Sequence, residues 1–411
     1  MSEEPQSYVS HLESALDGTV LPADKPQTTH RGRPLWVRYH LDAIRAAVGP
    51  KTISARPPTM WRYRELLLPG GCEPVSLGET MTPLLDCPRL GRAMGLKKLW
   101  IKDESRLPTG SFKARGMAMA MTMARHFGLN RVVAPTAGNA GGALAAYAAR
   151  AGIECHLFMP ADTPEVNRYE ASRYGARVYL VDGLITDCAK IARESVEKLG
   201  LFDMSTLREP YRLEGKKTMG LELAEQLGWR LPDVILYPTG GGTGLIGMFK
   251  AFAELHQLGW LADGAGEGRA RLFCCQSSGC DPLVRAFESG QRFAEPAKGV
   301  NTIAAGLRVP AAVGDFMVLD AVRGSGGRAM AADEERLVEW MTMVWETEGI
   351  ALCPEAAVCV GVLKEALRLG HIGPEEEVVL FNTAAGQKYV EVIRTELPLL
   401  EGAKAAPWQK A

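Results

Sequence analysis

No paired-cysteine pattern runs through this chain. Its nine cysteines, at 72, 87, 155, 188, 274, 275, 280, 353 and 359, fall at irregular spacings with no CxxC among them. An odd count so scattered argues against a disulfide framework or a zinc ribbon and fits a reducing cytoplasm. Neither charge is in excess: 47 Lys and Arg stand against 48 Asp and Glu. That balance excludes a chain-wide field for nucleic acid or an anionic membrane. No apolar window reaches the length of a membrane span, and the opening MSEEPQSYVSHLES has no apolar core of signal-peptide length. The expectation is a soluble, unprocessed, cytoplasmic protein whose partner is a small molecule. Histidines are few and dispersed, at 11, 30, 40, 126, 156, 256 and 371, outside every glycine and lysine motif, and read as structural or surface residues.

What is present is a large apolar fraction, 46% of 411 residues, enough for two lobes around sizeable cores. Residues 1–60 are polar and proline-punctuated, and read as an arm or wrapping extension with a strand-like LWVRY (35–39) and a helix-like LDAIRAAVG (41–49). After it, short apolar runs alternate with alanine-rich helical stretches: RVVAPT (131–136), AGNAGGALAAYAARAG (137–152), ECHLFMP (154–160), PEVNRYEASRYG (164–175) and RVYLVD (177–182). A second series holds DVILYPT (233–239), the helix-like LIGMFKAFAELHQLG, RLFCCQ (271–276) and EVVLFNT (377–383). Such alternation predicts right-handed βαβ crossovers and an α/β fold of two lobes, each a mainly parallel twisted sheet flanked by helices, with a crevice between. The expected division is a large lobe from 61–120 and 226–400, a smaller lobe over 121–225, and a tail at 401–411.

Two motifs carry chemistry. In YPTGGGTGLIG (237–247), Gly240, Gly241, Gly242, Thr243 and Gly244 lie where a strand ends and a helix begins, so backbone N–H groups can close around a phosphate. Leu245 follows Gly244 where a Walker A loop needs Lys. Gly242, Gly244 and Gly247 form a GxGxxG, yet Gln276 ends the next strand where a ribose-binding acid belongs, and Asp263 and Glu267 lie in loop-like sequence. In PTGSFKARG (108–116), Lys113 follows a Gly-Ser-Phe turn and opens a helix. A reactive amine and a single-phosphate cradle together suit pyridoxal phosphate, whose aldehyde, phosphate, O3′ and ring nitrogen each need a partner. In PTAGNAGG (135–142) the amide of Asn139 can bond O3′, although capping the helix is its simpler role, and the N–H groups of 136–140 can receive a carboxylate. In LFNTAAGQKY (381–390), Thr383 can turn a hydroxyl to the ring nitrogen.

In order and spacing, WIKDESRLPTGSFKARG, TAGNAGGALAAYAARAG, REPYRLEGKKT, YPTGGGTG, EGIALCPEAA and LFNTAAGQKY resemble the fold type II pyridoxal-phosphate enzymes, the tryptophan synthase β superfamily, and within it the threonine synthases. The resemblance spans about residues 58–395. It implies that Lys113 is the Schiff-base lysine, Asn139 the O3′ partner, residues 240–244 the phosphate loop and Thr383 the ring-nitrogen partner, with Phe112 beside the cofactor. It also implies substrate contacts from Ser111, Thr136, Ala137, Gly138 and Lys190, and a homodimer. The implied reaction converts O-phosphohomoserine and water to threonine and phosphate. The alternative is β-elimination from threonine or serine, or β-replacement on a related amino acid, with Lys113 moving the protons in either case.

Departures from the family are specific. Ala114 stands where Asp is usual, Ala140 where a hydroxyl is common, and Leu184 and Ile185 where polar groups help hold a substrate phosphate. A phosphate here must rely on Thr136, Thr186, Ser205, Thr206, Lys190 or Arg115. Arg115 is equally suited to an ion pair, and Lys216 and Lys217 to a helix start. Ser14 and Asp17 replace the cysteines of the zinc knuckle that some relatives carry, so no zinc is expected.

Overall fold

The computed structural model describes residues 7–262, 270–397 and 399; the expected tail at 401–411 and the acids Asp263 and Glu267 lie outside the described residues. The chain builds two mainly parallel sheets with helices packed on them. Six strands form the larger, in the order Arg328–Ala332, Arg271–Ser277, Val234–Pro238, Glu377–Asn382, Lys98–Asp103 and Leu84–Asp86, all parallel except the last. Four parallel strands form the smaller: Arg177–Val181, Glu154–Pro160, Arg131–Pro135 and Phe202–Asp203. Every residue of VILYP and EVVLFN is buried, as central strands covered on both faces must be.

Three helices join the sheets. Lys113–His126 is rich in Ala and Met, strong helix formers, and buries every residue from 114 to 124. It packs against both Asn139–Ala151 and Tyr211–Gln226, so the boundary expected at 120/121 falls inside one continuous helix. Its crossing with Tyr211–Gln226 is close: a Cβ on Gly116 would sit 2.9 Å from the Arg212 carbonyl oxygen, and one on Gly215 would strike the Arg115 carbonyl. Only glycine permits that approach.

Arg115 is therefore structural. Its guanidinium, fully buried, binds Glu104 (Nε to Oε2, 2.6 Å) and Glu222 (Nη1 to Oε1, 2.6 Å), while Lys102 donates to Glu222 at 3.1 Å. Lys217 and Lys250 likewise sit buried among Glu214 and Glu254, with the Tyr39 ring beside them. Tyr39 belongs to the region expected to be an arm or wrapping extension, and the strand expected at 35–39 is there as Leu35–Tyr39: Val9–Ser14 pairs antiparallel with it and with Val20–Leu21, and Leu12, Leu35 and Val37 enter the main core. The alternation that sets this face is only a few residues long and is masked by polar neighbours.

Candidate active site

The turn before Lys113 is fixed to the end of the last strand. Phe112 N–H donates to the Thr383 carbonyl at 2.9 Å, and Ser111 forms an antiparallel bridge with Ala384. Two segments some 270 residues apart in sequence thus present Lys113 and Thr383 to one cavity of about 390 Å³. Its walls also include Phe112, Gly138, Asn139 and all of residues 240–244. The glycine loop joins strand Val234–Pro238 to helix Thr243–Leu258; Gly242 takes φ +77°, and a Cβ there would run into Val318. The helix N-terminus therefore opens onto the cavity behind a loop that only glycine can form.

Burial pushes the Lys113 amine down to about 8, with the Arg212 charge adding to the fall and the Glu355 carboxylate opposing it. Such an amine is still mostly protonated at pH 7, but its neutral, nucleophilic fraction is far larger than that of an ordinary lysine. Lys216 lies close by, donating its Nζ proton to the Phe112 carbonyl. Burial, then the Lys113 charge, holds it well below the ordinary lysine range.

Asn139 begins helix Asn139–Ala151 and does not cap it; the cap position is Gly138. Its Nδ2 donates to the Tyr389 hydroxyl at 3.0 Å, and its Oδ1 is buried without a partner. The Thr136 N–H is not available to a carboxylate, because it donates to the Phe158 carbonyl at 3.0 Å in the sheet. Thr136 and Ala137 do not reach the cavity wall, and Ser111 is buried behind it with its hydroxyl unpaired. Lys190 is exposed and also absent from the wall; on its helix, Ile185–Leu199, the residues that reach the cavity are Ile185, Thr186, Ala189 and Arg193.

Several further wall residues were assigned no role by the sequence, or only a general one. Glu355 and Tyr389 face the cavity from helix Pro354–Arg368 and from the segment after the last strand. Arg193 and Arg208 line it too, with Ser205 and Thr206, the two hydroxyls the sequence offered for a phosphate. Arg208 is paired to Asp203 at 3.6 Å. Arg193 has no hydrogen-bond or ion-pair partner among the described residues. The motif CPEAA pointed to Glu355 only in retrospect, since nothing local distinguishes it from a helix-start acid.

These residues suit pyridoxal phosphate: a buried amine of lowered basicity, a glycine-lined helix N-terminus, and an unpaired buried amide oxygen on Asn139. Among the described residues no group of three or more His, Cys, Asp or Glu could hold a metal ion, and no helix is long and apolar enough to cross a membrane. Residues 75–384 match the family model described as "Pyridoxal-phosphate dependent enzyme". The chain is 34% identical over 327 residues to a threonine synthase of Methanosarcina acetivorans, covering 79% of each chain. It is 32% identical over 363 residues to one of Methanocaldococcus jannaschii, covering 88% of each. Its fold is similar to that of maize serine racemase, with a TM-score of 0.63 over 74% of this chain and 88% of that one, at 23% identity.

Proposed function

The chain belongs to the family of pyridoxal-phosphate dependent enzymes, in its fold type II branch, and we propose that it is a threonine synthase-like lyase converting O-phosphohomoserine and water to threonine and phosphate. The observation that carries this reading is the guanidinium of Arg193, uncommitted to any carboxylate, in one cavity with Lys113 and with the hydroxyl residues Thr186, Ser205 and Thr206. A cation and hydroxyls are what a phosphate dianion requires. The two threonine synthases similar over most of their length support the same substrate.

Bound pyridoxal phosphate supplies an electrophilic carbon for amines and a ring that accepts the electron pair left when a Cα proton departs. Lys113 would take the Cα proton and then one from Cβ, and would give back one proton at Cγ, where the departing phosphate leaves a carbon that must become a methyl group, and one at Cα; its lowered basicity eases these exchanges. The loop 240–244 and the helix behind it would hold the cofactor's phosphate, Asn139 would bond its O3′, and the Thr383 hydroxyl would serve its ring nitrogen. Arg193, Thr186, Ser205 and Thr206 hold the substrate's phosphate as it leaves Cγ, and water then adds at Cβ.

One observation favours a second reading. Ile185 occupies the same wall where a polar side chain would serve a phosphate better, which suits a dehydratase acting on threonine or serine. The purified protein given phosphohomoserine, threonine and serine separates the two: phosphate release from the first supports the synthase. Efficient deamination of threonine without phosphate release from phosphohomoserine replaces it with the dehydratase.

A further inference from the structure

A second cavity, of about 370 Å³, shares no residue with the active site. Its walls come from the short helix Met60–Leu66, from the loop LPGGCEP at 68–74 and from Tyr8. Two of its side chains carry charges that no other side chain answers: Arg64 and Glu73 are exposed, and neither has a side-chain hydrogen bond or an ion pair among the described residues. The third charged wall residue is already satisfied, since Glu65 accepts from Arg56 through both oxygens, at 2.7 and 2.8 Å. Burial pushes the Cys72 thiol up to about 11, so it stays neutral. The N–H groups of Gly70 and Gly71 donate to no protein acceptor among the described residues. Trp61, Leu68 and Tyr8 add apolar surface. Free charges on a surface are ordinary, but one cation and one anion on the wall of a single cavity, beside an aromatic face, complement a zwitterion with an apolar side chain. An α-amino acid is such a molecule.

The cavity is tied to the two helices that begin at the active site. Helix Lys113–His126, about 20 Å long at 1.5 Å per residue, ends beside the loop: Arg125 Nη2 donates to the Glu73 carbonyl at 2.6 Å, and Thr122 Oγ1 accepts the Val75 N–H at 2.9 Å. Helix Asn139–Ala151 is reached through Glu79, which accepts the Trp61 indole N–H at 2.9 Å on one oxygen and the Tyr147 hydroxyl on the other. Glu79 is fully buried. A movement of Trp61 therefore disturbs a buried carboxylate that also holds Tyr147, where hydrogen bonds are costly to lose.

We infer that this cavity is a regulatory site for an α-amino acid with an apolar side chain. The ligand's carboxylate pairs with Arg64 and its ammonium with Glu73, and its occupancy steadies the two helices whose first residues are Lys113 and Asn139. The site is independent of which substrate the enzyme turns over, so failure of the phosphohomoserine assay leaves it standing.

The test uses holoenzyme reduced with borohydride, in which the cofactor is fixed to Lys113 and cannot exchange onto an added amine. L-Leucine and L-phenylalanine, titrated by calorimetry, are expected to bind once per chain, and Arg64→Ala to weaken both about tenfold or more, the scale of one charge-assisted hydrogen bond. N-acetyl-L-leucine, which lacks the ammonium, and 3-methylbutylamine, which lacks the carboxylate, should each bind about tenfold more weakly than leucine. Leucine should slow backbone hydrogen exchange in residues 113–126 and 139–151. Trp61→Phe, which keeps an aromatic wall and deletes the indole N–H, should remove the slowing in 139–151. No saturable binding up to about 20 mM, binding unchanged in Arg64→Ala, or equal binding of the truncated analogues would each overturn the site. Binding that leaves exchange in both helices unaltered would overturn its regulatory role.

Discussion

Lys113 and Lys216 hold their Nζ atoms 4.4 and 4.2 Å from the centroid of one ring, that of Phe112. Two buried amines around a single aromatic cannot both remain charged without strong repulsion. Only Lys113 reaches the cavity wall, and Lys216 is engaged with the Phe112 carbonyl. Borohydride reduction of the holoenzyme followed by peptide mapping should place the pyridoxyl group on Lys113. A label on Lys216 or Lys250 would show the assignment to be mistaken. Lys113→Ala should fold and lose the covalent attachment.

The pH dependence of cofactor capture follows from the same amine. With its basicity brought down to about 8 by burial, Lys113 is protonated below that pH and nucleophilic above it. Capture of pyridoxal phosphate by the apoenzyme should quicken as pH rises through about 8 and level off by about 9. A midpoint near the ordinary lysine value of 10.5 would contradict this.

Arg193 should discriminate between substrates. Arg193→Ala is expected to raise KM for phosphohomoserine about tenfold or more and to leave any turnover of threonine within about twofold, because threonine carries no phosphate. Equal effects on both would remove Arg193 from phosphate recognition.

The buried network around Arg115 bears on stability. Arg115→Met leaves Glu104 and Glu222 in the interior without their main partner and should cost about 3–5 kcal/mol, read from urea unfolding at pH 7. Burial raises the basicity of Glu222, but Arg115 and then Lys102 outweigh it and bring the carboxyl down to about 2, against 4.5 ordinarily. Between those values the unfolded chain takes up a proton that the native one refuses. The contribution of Glu222 is therefore complete above about pH 5 and drains away as pH falls toward 2. The variant should show a shallower acid loss than the unaltered protein, and an identical pH profile would refute the assignment.

Gly242→Ala should damage the cradle from two directions, since the position needs φ +77° and the added Cβ meets Val318. Strain of this kind costs about 1–3 kcal/mol, so a lower Tm and weaker pyridoxal phosphate binding are expected together. Unchanged affinity would separate the loop from the phosphate.

The alternation of apolar strand and alanine-rich helix was enough to place most elements of both sheets, because burial on both faces forces near-continuous apolar runs such as VILYP and EVVLFN. Lys113, Asn139 and the glycine loop were legible for a related reason: each sits at an element boundary, where local chain geometry dictates residue type. The short antiparallel sheet at the start was legible only in its strand at 35–39, since the fully buried positions of its face are Leu12, Leu35 and Val37 among polar neighbours. Lys190 and Arg193 are equally cationic in the sequence and both exposed, and helical phase decided between them, since Thr186, Ala189 and Arg193 line the cavity and Lys190 does not. Arg115 reads the same whether it steers a substrate or fills an interior; only the crossing at Gly116 and Gly215 buried it. Glu355 needed the most from the tertiary fold. Its carboxylate accepts the Gly306 N–H from 49 residues away and lies beside the Tyr389 hydroxyl, and partners that distant are brought together by packing, which no local pattern encodes.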